Sequence, residues 1–215
     1  EPDGTLAVHA DLTGHATGHV NDMVVDGRGW AYVGNFGFDL MAGEPLVPTA
    51  LHRVDPDGRV TEVADDLWFP NGSAITADGV LLVVETFGNR VTAFTVTGDG
   101  ELVDRRTWAE FGPLPADRDL MLVLGQLTVA GDGACLDAAG GLWIADAIGE
   151  RLVRVTEGGT ITDEIRPGAS VYACALGGAA GDTLFICAAP DFLAEARSAA
   201  REARMLAVRV AHPAA

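Results

Sequence analysis

A motif recurring four times in register, a Gly- and Asp-rich turn inside each copy, and a second hairpin after each of the first three predict an all-β fold of four-stranded blades, a β-propeller. The copies run from Asn21 to Phe36 (NDMVVDGRGWAYVGNF), Pro70 to Phe87 (PNGSAITADGVLLVVETF) and Gly131 to Ile148 (GDGACLDAAGGLWIADAI). A looser fourth runs from Tyr172 to Ala189 (YACALGGAAGDTLFICAA).

Each copy reads as a polar residue, a short apolar strand, a tight turn and a second apolar strand. The turns DGRG, ADG, AAGG and AAGD supply the Gly and Asp that tight hairpins need for positive φ. The strands are rich in Val, Ile, Leu, Trp and Tyr, which suit a pleated, half-buried surface. Outer hairpins follow at Ala50 to Asp66, Arg90 to Trp108 and Arg151 to Ile165, about turns PDG, GDG and EGG. The unit is therefore four antiparallel strands recurring every ~40–60 residues. A sandwich would also show many short strands, but would not repeat its motifs in register.

Two segments break the pattern. Asp191 to Met205 is rich in helix formers and predicts one helix near the C-terminus, N-capped by Asp191. The strand MLAVRV after it adds an outer strand to the last blade. Gly112 to Gly131 stretches the distance from Asn71 to Asp132 to 61 residues, against 50 from Asn21 to Asn71. Within it, Leu120 to Leu124 reads as an extra buried strand or as an apolar lid over the channel mouth, with a tolerated surface loop as the third reading of the insertion.

The 215 residues suit a single domain over 1–215. Net charge is −17, from 31 acidic residues and 14 basic ones, all Arg. Such a surface excludes nucleic acid and anionic membrane as partners, because phosphate binding needs clustered cations. No apolar run reaches the roughly 20 residues that span a bilayer. Cys135, Cys174 and Cys187 form no CxxC pair and point to a reducing compartment. The opening EPDGTLAVHA carries no signal pattern, and cytoplasmic placement is the expectation.

Register also nominates a site. The innermost strand of a blade lines the central channel, and Asn21, Asn71 and Asp132 begin that strand in three successive copies. Their oxygens converge on one axial point and suit Ca²⁺ or another hard divalent cation, calcium ahead of magnesium. With no positioned His or Cys, zinc is disfavoured. Asn35, Glu85 and Asp146 end the second strand in register and return to the same face, as candidate substrate-binding groups. Asp26 and Asp137 fall in the inner turn and are expected to stabilise it. His15 and His19 are expected to be ordinary rim histidines.

At VNDMVVDGRGWAYVGN, FPNGSAITADGVLLVVET and DGACLDAAGGLWIAD, followed by CALGG and DTLFICAAPDF, the chain resembles the gluconolactonase, regucalcin (senescence marker protein) and luciferin-regenerating enzyme family. That resemblance implies a six-bladed propeller with one divalent cation at the channel mouth. It also implies a hydrolase that opens a lactone, such as a sugar lactone. By the family's pattern the PNG Asn is Asn71, the PDG Asp is Asp132, and the VND Asn is Asn21, a ligand or substrate contact. Asp132 would be both ligand and general base, or nucleophile in phosphotriesterase-like members.

Two departures stand out. Asp132 lies in GDG where the family has PDG, and the first-blade Glu has no counterpart, since Glu1 precedes a PDG turn. The expectation is a six-bladed family member that is N-terminally incomplete: about four blades, plus an outer remnant at Thr5 to Asp11. The alternatives are a non-catalytic calcium- or ligand-binding propeller, or a phosphotriester or ester hydrolase of the same fold. A small-molecule lactone is the expected partner.

Overall fold

In the computed structural model, which describes residues 4–215, tight turns fold the four repeats into four separate antiparallel sheets. Blade 1 is β1 (Val20–Val25), β2 (Ala31–Asn35), β3 (Thr49–Val54) and β4 (Val60–Leu67). Blade 2 is β5 (Pro70–Ile75), β6 (Val80–Glu85), β7 (Arg90–Val96) and β8 (Leu102–Glu110). The short helix α1 (Leu120–Leu124) leads into blade 3, which is β9 (Gly131–Leu136), β10 (Leu142–Asp146), β11 (Arg151–Val155) and β12 (Ile161–Ile165). Blade 4 is β13 (Ser170–Gly177), β14 (Thr183–Ala189) and, after α2 (Ala194–Ala199), β15 (Arg204–Arg209). Strands follow chain order within every sheet, an all-β, four-bladed propeller-like arrangement with two small helices.

The blades are held face to face by three apolar seams. Tyr32, Leu51, Leu81 and Phe94 fill the first, between blades 1 and 2. Leu82, Val84, Val91, Leu142 and Ile144 fill the second. Trp143, Leu152, Val171, Leu184 and Ile186 fill the third, where the Cys135 and Cys174 sulfurs lie 3.6 Å apart. The middle strands β6 and β10 are buried on both faces, while the outer β12 is largely exposed.

The inner strands β1, β5, β9 and β13 pack side by side, so the residues after Asn71 and Asp132 must be small. A Cβ on Gly72 would lie 2.4 Å from Ala134 N, and one on Gly133 would lie 3.0 Å from Ala173 Cα. The glycines of PNG and GDG are thus dictated by blade-to-blade contact.

Three expectations need correction. The helix expected over Asp191 to Met205 is confined to Ala194–Ala199 and buries no residue. Without an apolar face to bury, one and a half turns are all that its composition sustains. Asp191 is also not its N-cap: the Asp191 carboxylate accepts Leu193 N–H, and Leu193 itself caps without a side-chain bond. Leu120–Leu124 is a helix and not a strand, because the Asp119 carboxylate caps it at Met121 N–H and Leu122 N–H. The remnant at Thr5 to Asp11 is not a strand. It runs beside the outer turn of blade 1, where His9 meets Asp55 O at 3.2 Å. Glu1 lies outside the described residues.

Candidate functional site

Asn21, Asn71 and Asp132, at the start of β1, β5 and β9, line one cleft of ≈ 170 Å³ at the mouth end of the inner strands. Tyr172, the corresponding residue of β13, lines it too. The structure therefore brings together the three residues nominated from register and adds a fourth.

Two of these side chains carry orphaned buried atoms, Asn21 Nδ2 and Asn71 Oδ1. The second has a visible cause. Thr86 Oγ1 donates to Gly131 O at 2.6 Å and accepts Asn71 Nδ2–H at 3.0 Å, which fixes the amide with its oxygen unpaired. An unsatisfied buried acceptor is costly and calls for a partner such as a cation.

Asp132 is half-buried, and its carboxyl is pushed up to about 7. Burial is the main cause and the charge of Asp22 the second; the Asn71 side chain and Gly133 N–H pull weakly the other way. Burial raises the Asp22 carboxyl as well. A cation between these groups would relieve the repulsion, and the donors are hard oxygens, as calcium prefers. The residues present therefore fit a divalent cation, although no group of three His, Cys, Asp or Glu suited to a metal occurs among the described residues.

Asn35, Glu85 and Asp146 stand elsewhere, because their polar atoms are already occupied. Asn35 donates to Ala50 O and accepts from Gly37 N–H and Thr49 Oγ1. Glu85, fully buried, accepts Trp68 N–H at 2.8 Å, both arms of Arg90, and Thr92 Oγ1. Asp146 accepts Ala130 N–H, Gly149 N–H and Arg151 Nε. The last two carboxylates clamp the segment that enters their own blade's inner strand onto the end of its second strand, so they place the cleft without lining it. Gly88 and Gly149 make room for them: a Cβ there would lie 2.8 Å from Glu85 Oε2 or 2.2 Å from Asp146 Oδ2. His15 and His19 contact His52 and Phe36 by ring packing and do not line the cleft.

Thr86, Tyr172 and the phenylalanines beside the cleft were not anticipated. Their signal lay beside the nominated positions: Phe36 follows Asn35, Thr86 follows Glu85, and Phe69 precedes PNG. Tyr172 opens the fourth copy of the motif.

The family described as SMP-30/Gluconolactonase/LRE-like region matches residues 1–190. Among solved structures, the chain is similar to a luciferin-regenerating enzyme, at TM-score 0.75 and 18% identity, covering 96% of this chain and 67% of that one. It is similar to a calcium-binding regucalcin from Agrobacterium tumefaciens, at TM-score 0.74 and 20% identity, covering 100% and 69%. A gluconolactonase from Xanthomonas campestris matches at TM-score 0.59 and 26% identity, covering 80% of this chain and 54% of that one. No curated protein sequence matches the chain at a significant level. No helix among the described residues is long and apolar enough to cross a membrane.

Proposed function

Because the chain belongs to the SMP-30/gluconolactonase/LRE-like family, we propose that it is a metal-dependent hydrolase that opens a lactone at this cleft. The observation carrying the proposal is the convergence of Asn21, Asn71 and Asp132 from three blades, with Asn71 Oδ1 held free by Thr86. Asn71 and the Asp132 carboxylate, with Asn21, would hold the cation, calcium by preference. When bound, such a cation polarises a carbonyl and makes water more acidic.

The chain's own residues supply the rest. Asn21 Nδ2, buried and unpaired, donates to the lactone carbonyl oxygen. Asp132 takes a proton at a carboxylate oxygen as water adds to the carbonyl carbon. The ring C–O bond then breaks, and the same carboxyl returns the proton to the departing ring oxygen. Lactone and water become one hydroxy acid. In this reading the partner is a small lactone, and the −17 charge disfavours nucleic acid and anionic lipid. The four blades are read as about two thirds of a six-bladed ring, supported by the 67% and 69% shares of the first two structures.

One observation favours a second reading, a calcium-binding propeller without turnover: Asp132 is the only carboxylate lining the cleft among the described residues. Calcium calorimetry on the chain and on Asp132→Ala, beside lactone hydrolysis followed by acid release, separates the two. Loss of binding and turnover together in the variant supports the hydrolase. Binding without turnover in the parent supports the second reading. Retained turnover in the variant removes Asp132 from the mechanism.

A further inference from the structure

Apart from its reacting end, the cleft is walled by carbon. The Phe36 and Phe69 rings stack with centroids 4.2 Å apart, and Phe87 meets Phe69 edge-on at 4.9 Å. Leu120 and Leu124 of α1 close one side, and Ile148 stands exposed at the rim. Asn21, Asn71, Thr86, Asp132 and Tyr172 are the polar lining residues. Thr86 is already committed to Gly131 O and Asn71, and three of the others meet at the reacting end. Tyr172 alone is left to satisfy further hydroxyls. A polyhydroxylated ring would bury several hydroxyls without partners, and each such burial is unfavourable.

Backbone conformation points the same way. Phe69 has φ +59, the left-handed region that disfavours any side chain and a bulky one most. It is held there by Glu85, which takes Trp68 N–H, and by Thr86 N–H and Phe87 N–H, which bond Phe69 O and Trp68 O at 3.1 and 3.2 Å. A glycine would sit at this position without strain, yet the chain places an aromatic ring there, facing the cleft.

We propose that the ligand of this cleft is a small molecule with an aryl or alkyl face, such as a benzo-fused or alkyl-substituted lactone, and not a polyhydroxy sugar lactone. The volume of ≈ 170 Å³ admits one compact ring system. The reacting bond rests on the hydrolase reading above; the apolar half of the ligand does not.

The test uses two lactams, which keep the ring and carbonyl but resist hydrolysis: 3,4-dihydroquinolin-2-one and gluconolactam, titrated by calorimetry with calcium present. The aryl lactam binds at least ~10-fold more tightly, a gap of about 1.4 kcal/mol. The variant Ile148→Asn, at an exposed rim position, narrows that gap while its circular dichroism and Tm stay those of the parent. Equal or tighter binding of gluconolactam, or no binding of either, overturns the inference. Hydrolysis of dihydrocoumarin and glucono-δ-lactone is then read separately. Preference for the aryl lactam with no turnover of either lactone leaves the apolar site standing and removes the hydrolase reading. A higher kcat/KM for gluconolactone does the reverse.

Discussion

Strand β9 and the turn that follows it carry two aspartates five positions apart, and the two are treated in opposite ways. Asp137, at the inner turn, is 1% exposed and fully engaged. It accepts Ala139 N–H and Gly141 N–H at 2.9 and 3.0 Å and both arms of Arg154 at 2.6 and 3.1 Å. Burial alone would raise its pKa, but Arg154 and those amides outweigh it and hold the carboxyl below its ordinary value. Asp132, at the mouth, faces Asp22 in place of an arginine and is raised to about 7. A buried carboxylate with its own cation belongs to the scaffold. One left without is available to a ligand, and the difference lies in the partners.

The largest effect that this contrast predicts is on chemistry. Asp132→Asn should lower lactone turnover by roughly 10²–10⁴-fold, the usual contribution of a positioned base. Its thermal stability should match or exceed the parent's, because a poorly compensated buried charge is removed. Acid release against substrate, beside a melting curve, reads both. A Tm fall as large as that of a scaffold variant would erase the distinction between the two aspartates.

Breaking the other end should give the mirror image. Arg154→Met leaves Asp137 buried without its guanidinium, and losing one partner of a buried pair costs about 3–5 kcal/mol. Denaturant unfolding measures the loss, while calcium affinity of the folded fraction should remain that of the parent. A smaller break tests the mouth itself. Thr86→Val keeps the shape but releases the Asn71 amide, so calcium affinity should fall ~10-fold, in the range typical of residues that orient metal ligands. An unchanged affinity would mean that the bond from Asn71 Nδ2 to Thr86 Oγ1 does not fix the ligand.

The blades were readable because a hairpin repeat writes its period and its turns directly into the chain. Asn21, Asn71 and Asp132 were readable for the same reason: register alone carries one residue per blade to one end. Register failed for Asn35, Glu85 and Asp146, since it gives position and says nothing of who else is present. The missing information was nearby, in ETFGNR and DAIGER, where Arg90 and Arg151 follow their carboxylates by five residues. Between them Asn89 and Glu150 adopt φ of 55 and 50, which turns each arginine back onto its acid. The aromatic wall was harder to see, because Phe36, Phe69 and Phe87 come from three connections that only tertiary packing unites. Leu120–Leu124 is too short an apolar run for periodicity to separate helix from strand.

Titration gives the smallest effect and the sharpest sign. Asp132 has a folded pKa raised from 3.8 to about 7, so between those values the folded chain holds a proton that the unfolded chain has released. Its contribution to stability therefore falls as pH rises across that window. Asp137 has a lowered folded pKa, so its contribution rises with pH above the folded value and is complete once the unfolded carboxyl has ionised. In calcium-free buffer, the Tm of Asp132→Asn relative to the parent should therefore climb between about pH 4 and 7 and then level off. Asp137→Asn should move the opposite way, losing ground to the parent as pH rises. Saturating calcium should close the Asp132 gap, because the cation then compensates the parent's carboxylate, and should leave the Asp137 gap where it was. A gap for Asp132→Asn that ignores both pH and calcium would place its carboxylate, like that of Asp137, within the scaffold.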